Sequence, residues 1–269
     1  MTLPAPAPDR TAVVTGASSG IGAQIARELA RRGHNVTLVA RSVAPLEELA
    51  AQLRTDGVRA DVVAADLTDR QTRAGLLGAV EGKGLNPDIL INNAGLSTLG
   101  PVAGSDPDAE VSMLELDVVA VADLCSRFAP GMVERGRGAI LNVASTAAFQ
   151  PLPGQAGYAA AKAFVLSYTQ SLAAELAGSG VTVTALCPGP VETKFGQRAG
   201  FADGDAQAAL PAVLWVAAAD VARAAVDGLD RGRLVVIPGA ANRVGAALAQ
   251  VTPRSLLLPV LRRKHPGLS

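Results

Sequence analysis

TAVVTGASSGIG, residues Thr11–Gly22, decides the fold. Its first five residues are rich in β-branched side chains and predict a strand. Gly16, Gly20 and Gly22 follow at once, and an alternating apolar pattern running to about Arg32 predicts a helix. Strand, glycine loop and helix N-terminus in that order aim backbone N–H groups and the positive end of a helix dipole at one point, which suits a pyrophosphate. The glycines remove Cβ atoms where a phosphate must come close; Ser18, Ser19 and Ile21 lie between them on the same loop. A glycine-rich turn without a ligand has the same composition, but its place directly after a first strand favours cofactor binding.

Working outward, Gly33 ends the helix and Asn35–Ala40 reads as a second strand. An acidic residue at its end would hydrogen-bond an adenosine ribose. Arg41 stands there instead, and a guanidinium favours a 2′-phosphate. NADP(H) is therefore the preferred cofactor and NAD(H) the alternative, favoured if Arg41 is only a solvated residue. A helix over Pro45–Asp56 and a strand over Val58–Ala64 lead to Asp66-Leu67, placed to meet an adenine edge. A helix from Asp69-Arg70 to about Glu81 precedes a fourth strand, Asp88–Ile91, which delivers Asn92-Asn93-Ala94-Gly95. One long helix over Ala109–Glu134 and a strand over Ala139–Val143 lead to Ser145. The helix carrying Tyr158 runs to about Ala177, and the sixth strand, Val181–Leu186, ends in Cys187-Pro188-Gly189-Pro190-Val191-Glu192-Thr193. A polar loop over Lys194–Asp205, a short helix over Pro211–Val216, a helix over Asp220–Leu229 and a seventh strand, Leu234–Ile237, complete the pattern. Strands separated by helices imply an α/β, Rossmann-type, doubly wound parallel sheet of about seven strands. The division is a proline-rich, flexible arm at 1–10, one dinucleotide-binding and catalytic domain at 11–240, and an apolar, basic tail at 241–269.

Every singled-out segment falls at the C-terminal end of a strand, where such sheets bind ligands. Among them, Tyr158 and Lys162 are four apart in an alanine-rich helix and so share one face. A phenol with an ordinary pKa of about 10 is a poor proton donor at neutral pH, and a nearby cation lowers that value. Ser145, on the preceding turn, can face a substrate oxygen. Together they suit proton exchange with an oxygen passing between carbonyl and alcohol. The pair alone is weak, because most tyrosines and lysines at this spacing lie on ordinary helix surface.

Composition excludes several alternatives. The hydrophobic fraction is 49% against 3% aromatic, so the core is built from Ala, Val, Leu and Ile, as suits a buried parallel sheet. Net charge is zero with no basic stripe, which argues against nucleic acid. Cys125 and Cys187 have no metal or disulfide spacing and read as small buried residues; no metal is expected. The start, MTLPAPAPDR, does not read as a signal peptide, no apolar run is long enough to span a bilayer, and a cytoplasmic protein is expected.

Taken together, TGASSGIG (Thr15–Gly22), Asp66-Leu67, NNAG (Asn92–Gly95), Ser145 followed by YAAAK (Tyr158–Lys162), and PGPVET (Pro188–Thr193) resemble the short-chain dehydrogenase/reductase family over about residues 10–240. The resemblance implies hydride transfer between a nicotinamide and an apolar ketone or secondary alcohol without a metal. Tyr158 is then the acid or base, Ser145 polarises the substrate oxygen, and Lys162 lowers the tyrosine pKa and holds the nicotinamide ribose. Asn93 and Ala94, with Gly95, border the cofactor ribose, and Val191 and Thr193, beside Pro188 and Gly189, the nicotinamide amide. The family's usual relay asparagine is Asp117 here. The family relay is thought to use the main-chain carbonyl, which Asp retains, so a working relay is expected, with a carboxylate that holds Lys162 protonated. The resemblance further implies a homodimer or homotetramer paired through the helices at 109–134 and 155–177. The alternative class is a cofactor-sensing scaffold without turnover; the presence of Tyr158 and Lys162 argues against it.

In the tail, Val244, Ala247, Leu248 and Val251 repeat at helical spacing, and Leu256–Leu258 precede Arg262-Arg263-Lys264. Two readings follow: an apolar flap over the substrate pocket, or peripheral contact with an anionic membrane. The flap is favoured here, because an apolar pocket needs a cover.

Overall fold

A computed structural model describes residues 3–193, 195–198 and 210–264. Seven parallel strands form one sheet in the order β3-β2-β1-β4-β5-β6-β7. They are β1 (Arg10–Thr15), β2 (Val36–Ala40), β3 (Ala60–Ala64), β4 (Asn86–Asn92), β5 (Gly138–Val143), β6 (Val181–Leu186) and β7 (Val235–Val236). The order reverses between β1 and β4, which opens a crevice at their C-terminal ends. The predicted strands are all present; β7 is shorter than expected, and β4 extends further at both ends.

Helices cover both faces: α1 (Gly20–Arg31), α2 (Val43–Thr55), α3 (Arg70–Glu81), α4 (Pro107–Leu114), α5 (Ala120–Glu134), α6 (Ala156–Glu175), the single turn α7 (Phe195–Arg198), α8 (Ala218–Asp230), α9 (Ala240–Val251) and α10 (Arg254–Lys264). Alternation along the strands explains the two cores. On one face Val14, Leu38, Ile91 and Leu141 pack with Ile25 and Leu29 of α1 and Val226 of α8. On the other, Val13, Val39, Leu90 and Ile140 pack with Leu76 of α3, Phe128 of α5 and Val165 of α6. Cys125 and Cys187 lie fully buried among these apolar residues, and burial pushes both thiols up to about 12.

One expected element differs. The long helix at 109–134 begins at Pro107, where Asp106 caps it, and is interrupted by a π turn, Glu115–Val119, between α4 and α5. No proline or glycine marks that stretch; Pro107 opens α4, and Pro130 lies within α5 well past the π turn. Residues 3–9, read as a loose arm, make contacts with the body: Leu3 N donates to Asp230 Oδ1 (3.3 Å) and Asn35 Nδ2 to Ala7 O (3.0 Å). Most of the loop expected at Lys194–Asp205 lies outside the described residues, and the helix expected at Pro211–Val216 is a 3₁₀ turn, Ala212–Leu214.

Candidate active site

The glycine loop is held from behind by Thr15 and Asn93. Thr15 Oγ1 donates to Ile91 O (3.2 Å) and accepts from the backbone N–H groups of Asn93 (2.9 Å) and Ala94 (3.0 Å). Asn93 Nδ2 returns a bond to Thr15 O (2.9 Å) and reaches Gly16 O (3.3 Å). Gly16 and Gly20 have positive φ, 65° and 58°, which side chains rarely adopt. Gly22 is required by proximity: a Cβ there would overlap the Asn93 amide nitrogen and stand 2.5 Å from Gly16 O. Ser19 is the N-cap of α1 yet its side chain caps nothing, and the first turn holds no acidic residue. Hence the first N–H groups of α1 lack a side-chain cap and face no carboxylate in their own turn.

The loop forms one wall of a cleft of about 470 Å³. Gly16, Ser18, Ser19, Gly20, Ile21, Asn93, Ala94 and Gly95 line one end, and Ser145, Tyr158 and Lys162, with Pro188, Gly189, Val191 and Thr193, continue it. Gly22 is buried behind the wall. Arg41, Asp66 and Leu67 do not line it. Arg41 is exposed at the end of β2. Asp66 Oδ1 accepts from Thr68 N (3.0 Å) and Thr68 Oγ1 (2.7 Å). Burial works against this carboxylate, but the Thr68 bonds and the Arg41 charge hold it below its ordinary pKa. Leu67 is buried in the core and its carbonyl accepts from Arg73 (2.8 Å).

β5 and α6 bring the chemistry-bearing groups together. Ser145 caps a 3₁₀ turn, Thr146–Phe149, accepting from Ala147 N (3.1 Å), and its hydroxyl is among the groups that act on the Tyr158 phenol. Lys162 Nζ lies 5.6 Å from the Tyr158 ring centre and donates to Val143 O (3.1 Å). Asp117, fully buried in the π turn, places Oδ2 2.9 Å from Lys162 Nζ, and its Oδ1 accepts from Leu96 N (2.8 Å). Gly95 leaves room for this pair: a Cβ there would come 3.3 Å from Asp117 Oδ1. Burial pulls the Lys162 ammonium down, but Asp117 and the phenol outweigh it and the net shift is upward. Burial pushes the Tyr158 phenol up and the Asp117 charge adds to the rise, while Lys162 and the Ser145 hydroxyl draw it back. Burial likewise raises the Asp117 carboxyl against the pull of Lys162.

The far end of the cleft is lined by Gln150, Leu152, Gln155, Phe195, Leu214, Trp215, Asn242, Ala246 and Ala249, none of them singled out as a site residue from sequence. Asn242 had a readable signal, an amide shortly after the Pro238-Gly239 turn at the head of an apolar stretch. It is buried, and its Nδ2 donates to Leu214 O (2.9 Å) and Pro238 O (3.0 Å), fixing that wall. The tail contributes to the cleft, but not through the stripe expected to cover it. Ala246 and Ala249 face inward, whereas Val244, Ala247, Leu248 and Val251 are exposed. The reason is helical phase: the two sets lie on opposite sides of α9, and only the small residues fit against the turn at 146–149. Among the described residues there is no cluster of three or more metal-ligating side chains and no helix long and apolar enough to cross a membrane.

Residues 10–202 match the family model for short chain dehydrogenases. The chain is 37% identical over 206 residues to a short chain dehydrogenase of Pseudocercospora fijiensis, covering 72% of this chain and 66% of that protein. It is 37% identical over 194 residues to a very-long-chain 3-oxoacyl-CoA reductase of Anas platyrhynchos, covering 68% and 60%. It thus spans about two thirds or less of those two curated relatives. A short-chain dehydrogenase from Sphingobium yanoikuyae, solved in complex with NADPH, superposes with a TM-score of 0.79 at 37% identity, covering 93% of this chain and 95% of that one. A bulky-bulky ketone specific alcohol dehydrogenase from Comamonas testosteroni gives 0.76 at 33% identity, covering 96% and 97%. This chain belongs to the short-chain dehydrogenase/reductase family of oxidoreductases.

Proposed function

We propose that the protein is an NADP(H)-dependent carbonyl reductase acting on an apolar ketone. The observation that carries this reading is one cleft joining the uncapped N-terminus of α1 and its glycine loop to Ser145, Tyr158 and Lys162. The residues fit a dinucleotide: Gly16 and Gly20 let the loop lie close against Ala94 and Thr193, where a Cβ would intrude, and the N–H groups of the first turn suit a pyrophosphate. Ser18, Ser19 and Ile21 then cradle phosphate, Asn93 and Lys162 take the nicotinamide ribose, and Val191 and Thr193 the amide. Arg41, exposed at the end of β2, takes a 2′-phosphate. Bound NADPH supplies the hydride that reduces the carbonyl carbon.

The chain's own groups handle the oxygen. The Ser145 hydroxyl hydrogen-bonds the substrate carbonyl, and the Tyr158 phenol gives its proton to the oxygen as negative charge develops there. With its pKa raised by burial, the phenol is protonated at neutral pH, the form that reduction needs. Lys162 steadies the phenolate that remains, and Asp117 keeps Lys162 charged. Leu152, Leu214, Trp215 and Ala249 make the far end of the cleft apolar. The relatives' activities on 3-oxoacyl-CoA and on bulky ketones point to the same substrate class. An apolar groove between α5 and α6, lined by Ala129, Val133, Leu172 and Leu176, supports pairing with a second copy there. The test is Tyr158→Phe assayed with NADPH on bulky ketones. Turnover should vanish while NADPH still quenches the fluorescence of Trp215; undiminished turnover refutes the mechanism.

A further inference from the structure

Residues 240–264 hold Arg243, Arg254, Arg262, Arg263 and Lys264 and no acidic residue. The whole chain is neutral, with 24 basic and 24 acidic residues, so the remainder has 19 basic against 24 acidic and carries a net charge of −5 while the tail carries +5. The same tail bears the densest run of exposed large apolar side chains among the described residues. Val244 (60% exposed), Leu248 and Val251 (77%) form one stripe on α9, Leu256 and Val260, four apart, share a side of α10, and Leu258 is exposed as well. Arg254, at the start of α10, fastens it to the body, donating to Phe149 O (3.2 Å) and Ala249 O (3.1 Å).

We propose that this outer face of α9 and α10 docks the protein on an anionic lipid surface. Apolar side chains beside cations, with no carboxylate to repel phosphate headgroups, fit an interface-lying helix pair rather than a spanning one. A two-fold contact with a second copy through this face would set two positive surfaces together, which disfavours that occupant. Because the opposite side of α9 lines the cleft, docking also brings the cleft beside the bilayer, where apolar ketones concentrate. The docking itself does not depend on the reaction proposed above.

The test uses the full chain and vesicles of phosphatidylcholine with or without phosphatidylserine, read by co-sedimentation. The protein should pellet with phosphatidylserine vesicles, and binding should fall about tenfold or more without that lipid or at high salt. The double variant Leu248→Asp/Val251→Asp changes only solvent-facing positions outside the cleft and should keep its circular dichroism and NADPH binding while losing the vesicles. Failure to pellet, pelleting indifferent to phosphatidylserine, or undiminished binding of the folded double variant overturns the proposal. So does a fall in solution mass caused by the double variant, which would show that a second copy covers the face.

Discussion

Replacing Gly22 with alanine tests how the glycine loop is held. The new Cβ has no room between Asn93 Nδ2 and Gly16 O, and the latter is backbone that cannot rotate away. The Asn93 amide must therefore leave, giving up its bonds to Thr15 O and Gly16 O. Overpacking of this kind costs about 1–3 kcal/mol, and two lost hydrogen bonds cost about 0.5–1.5 kcal/mol each. The total, about 2–6 kcal/mol, corresponds to a melting temperature lower by roughly 4–24 °C for a domain of this size. Gly75→Ala is the matched control. Gly75 is exposed inside α3, and a Cβ there meets nothing within 4 Å. Alanine should stabilise that helix by about 0.5–1 kcal/mol. Scanning calorimetry of the two variants should give shifts of opposite sign, and NADPH should raise the melting temperature of Gly75→Ala far more than that of Gly22→Ala. An unshifted Gly22→Ala would refute the Thr15–Asn93–Gly22 lock.

Three further outcomes are expected. Asp117→Asn keeps an acceptor for Leu96 N–H and should hold turnover within about tenfold, a barrier change of ~1.4 kcal/mol. It also removes a charge that raises the phenol pKa, so the loss of reductase activity at alkaline pH should begin at lower pH; an unmoved or upward-moved alkaline limb in rate profiles refutes the electrostatic reading. Arg41→Ala should weaken NADPH relative to NADH by roughly 10- to 150-fold, the equivalent of a charge-assisted contact of about 1.5–3 kcal/mol; an unchanged ratio of binding constants makes Arg41 a surface residue. His34 is buried, and burial with the neighbouring Arg32 charge lowers its pKa to about 4. The folded state therefore binds fewer protons than the unfolded chain between pH 6.5 and about 4, so His34 erodes stability as pH falls through that window. His34→Gln should flatten the acid side of a urea-midpoint profile.

The strand–glycine–helix order and the spacing of Ser145, Tyr158 and Lys162 were legible because backbone geometry maps them directly onto sequence. Periods of 2.0 and 3.6 name the elements, and parallel topology puts their C-terminal ends together. The Asp117–Lys162 contact could be anticipated from residue type, though not its position in a π turn, since one extra residue in a helical turn leaves no compositional mark. The far cleft wall was harder. Gln150 and Leu152, Trp215, and Ala249 come from three separated segments and meet only through tertiary packing. Helical spacing located the tail's apolar stripe but not its direction. Stripes that face a core and stripes that face outward share one period, and the inward side of α9 is made of alanines too small to announce themselves.

The π turn at Glu115–Val119 also bears on which changes in chain length the gene can accept. Each residue of a regular helix turns the chain by about 100°, but a π turn fits one extra residue into a single turn, so α5 continues from α4 with its phase kept. Deleting one codon there would leave an unbroken, regular helix that still sets Val121, Leu124, Cys125 and Phe128 against the sheet, but it would remove the bulge that holds Asp117 beside Lys162. Insertions and deletions are usually absorbed by loops; here the middle of a helix accommodates one, because the π turn takes up the added residue locally and leaves everything downstream in phase.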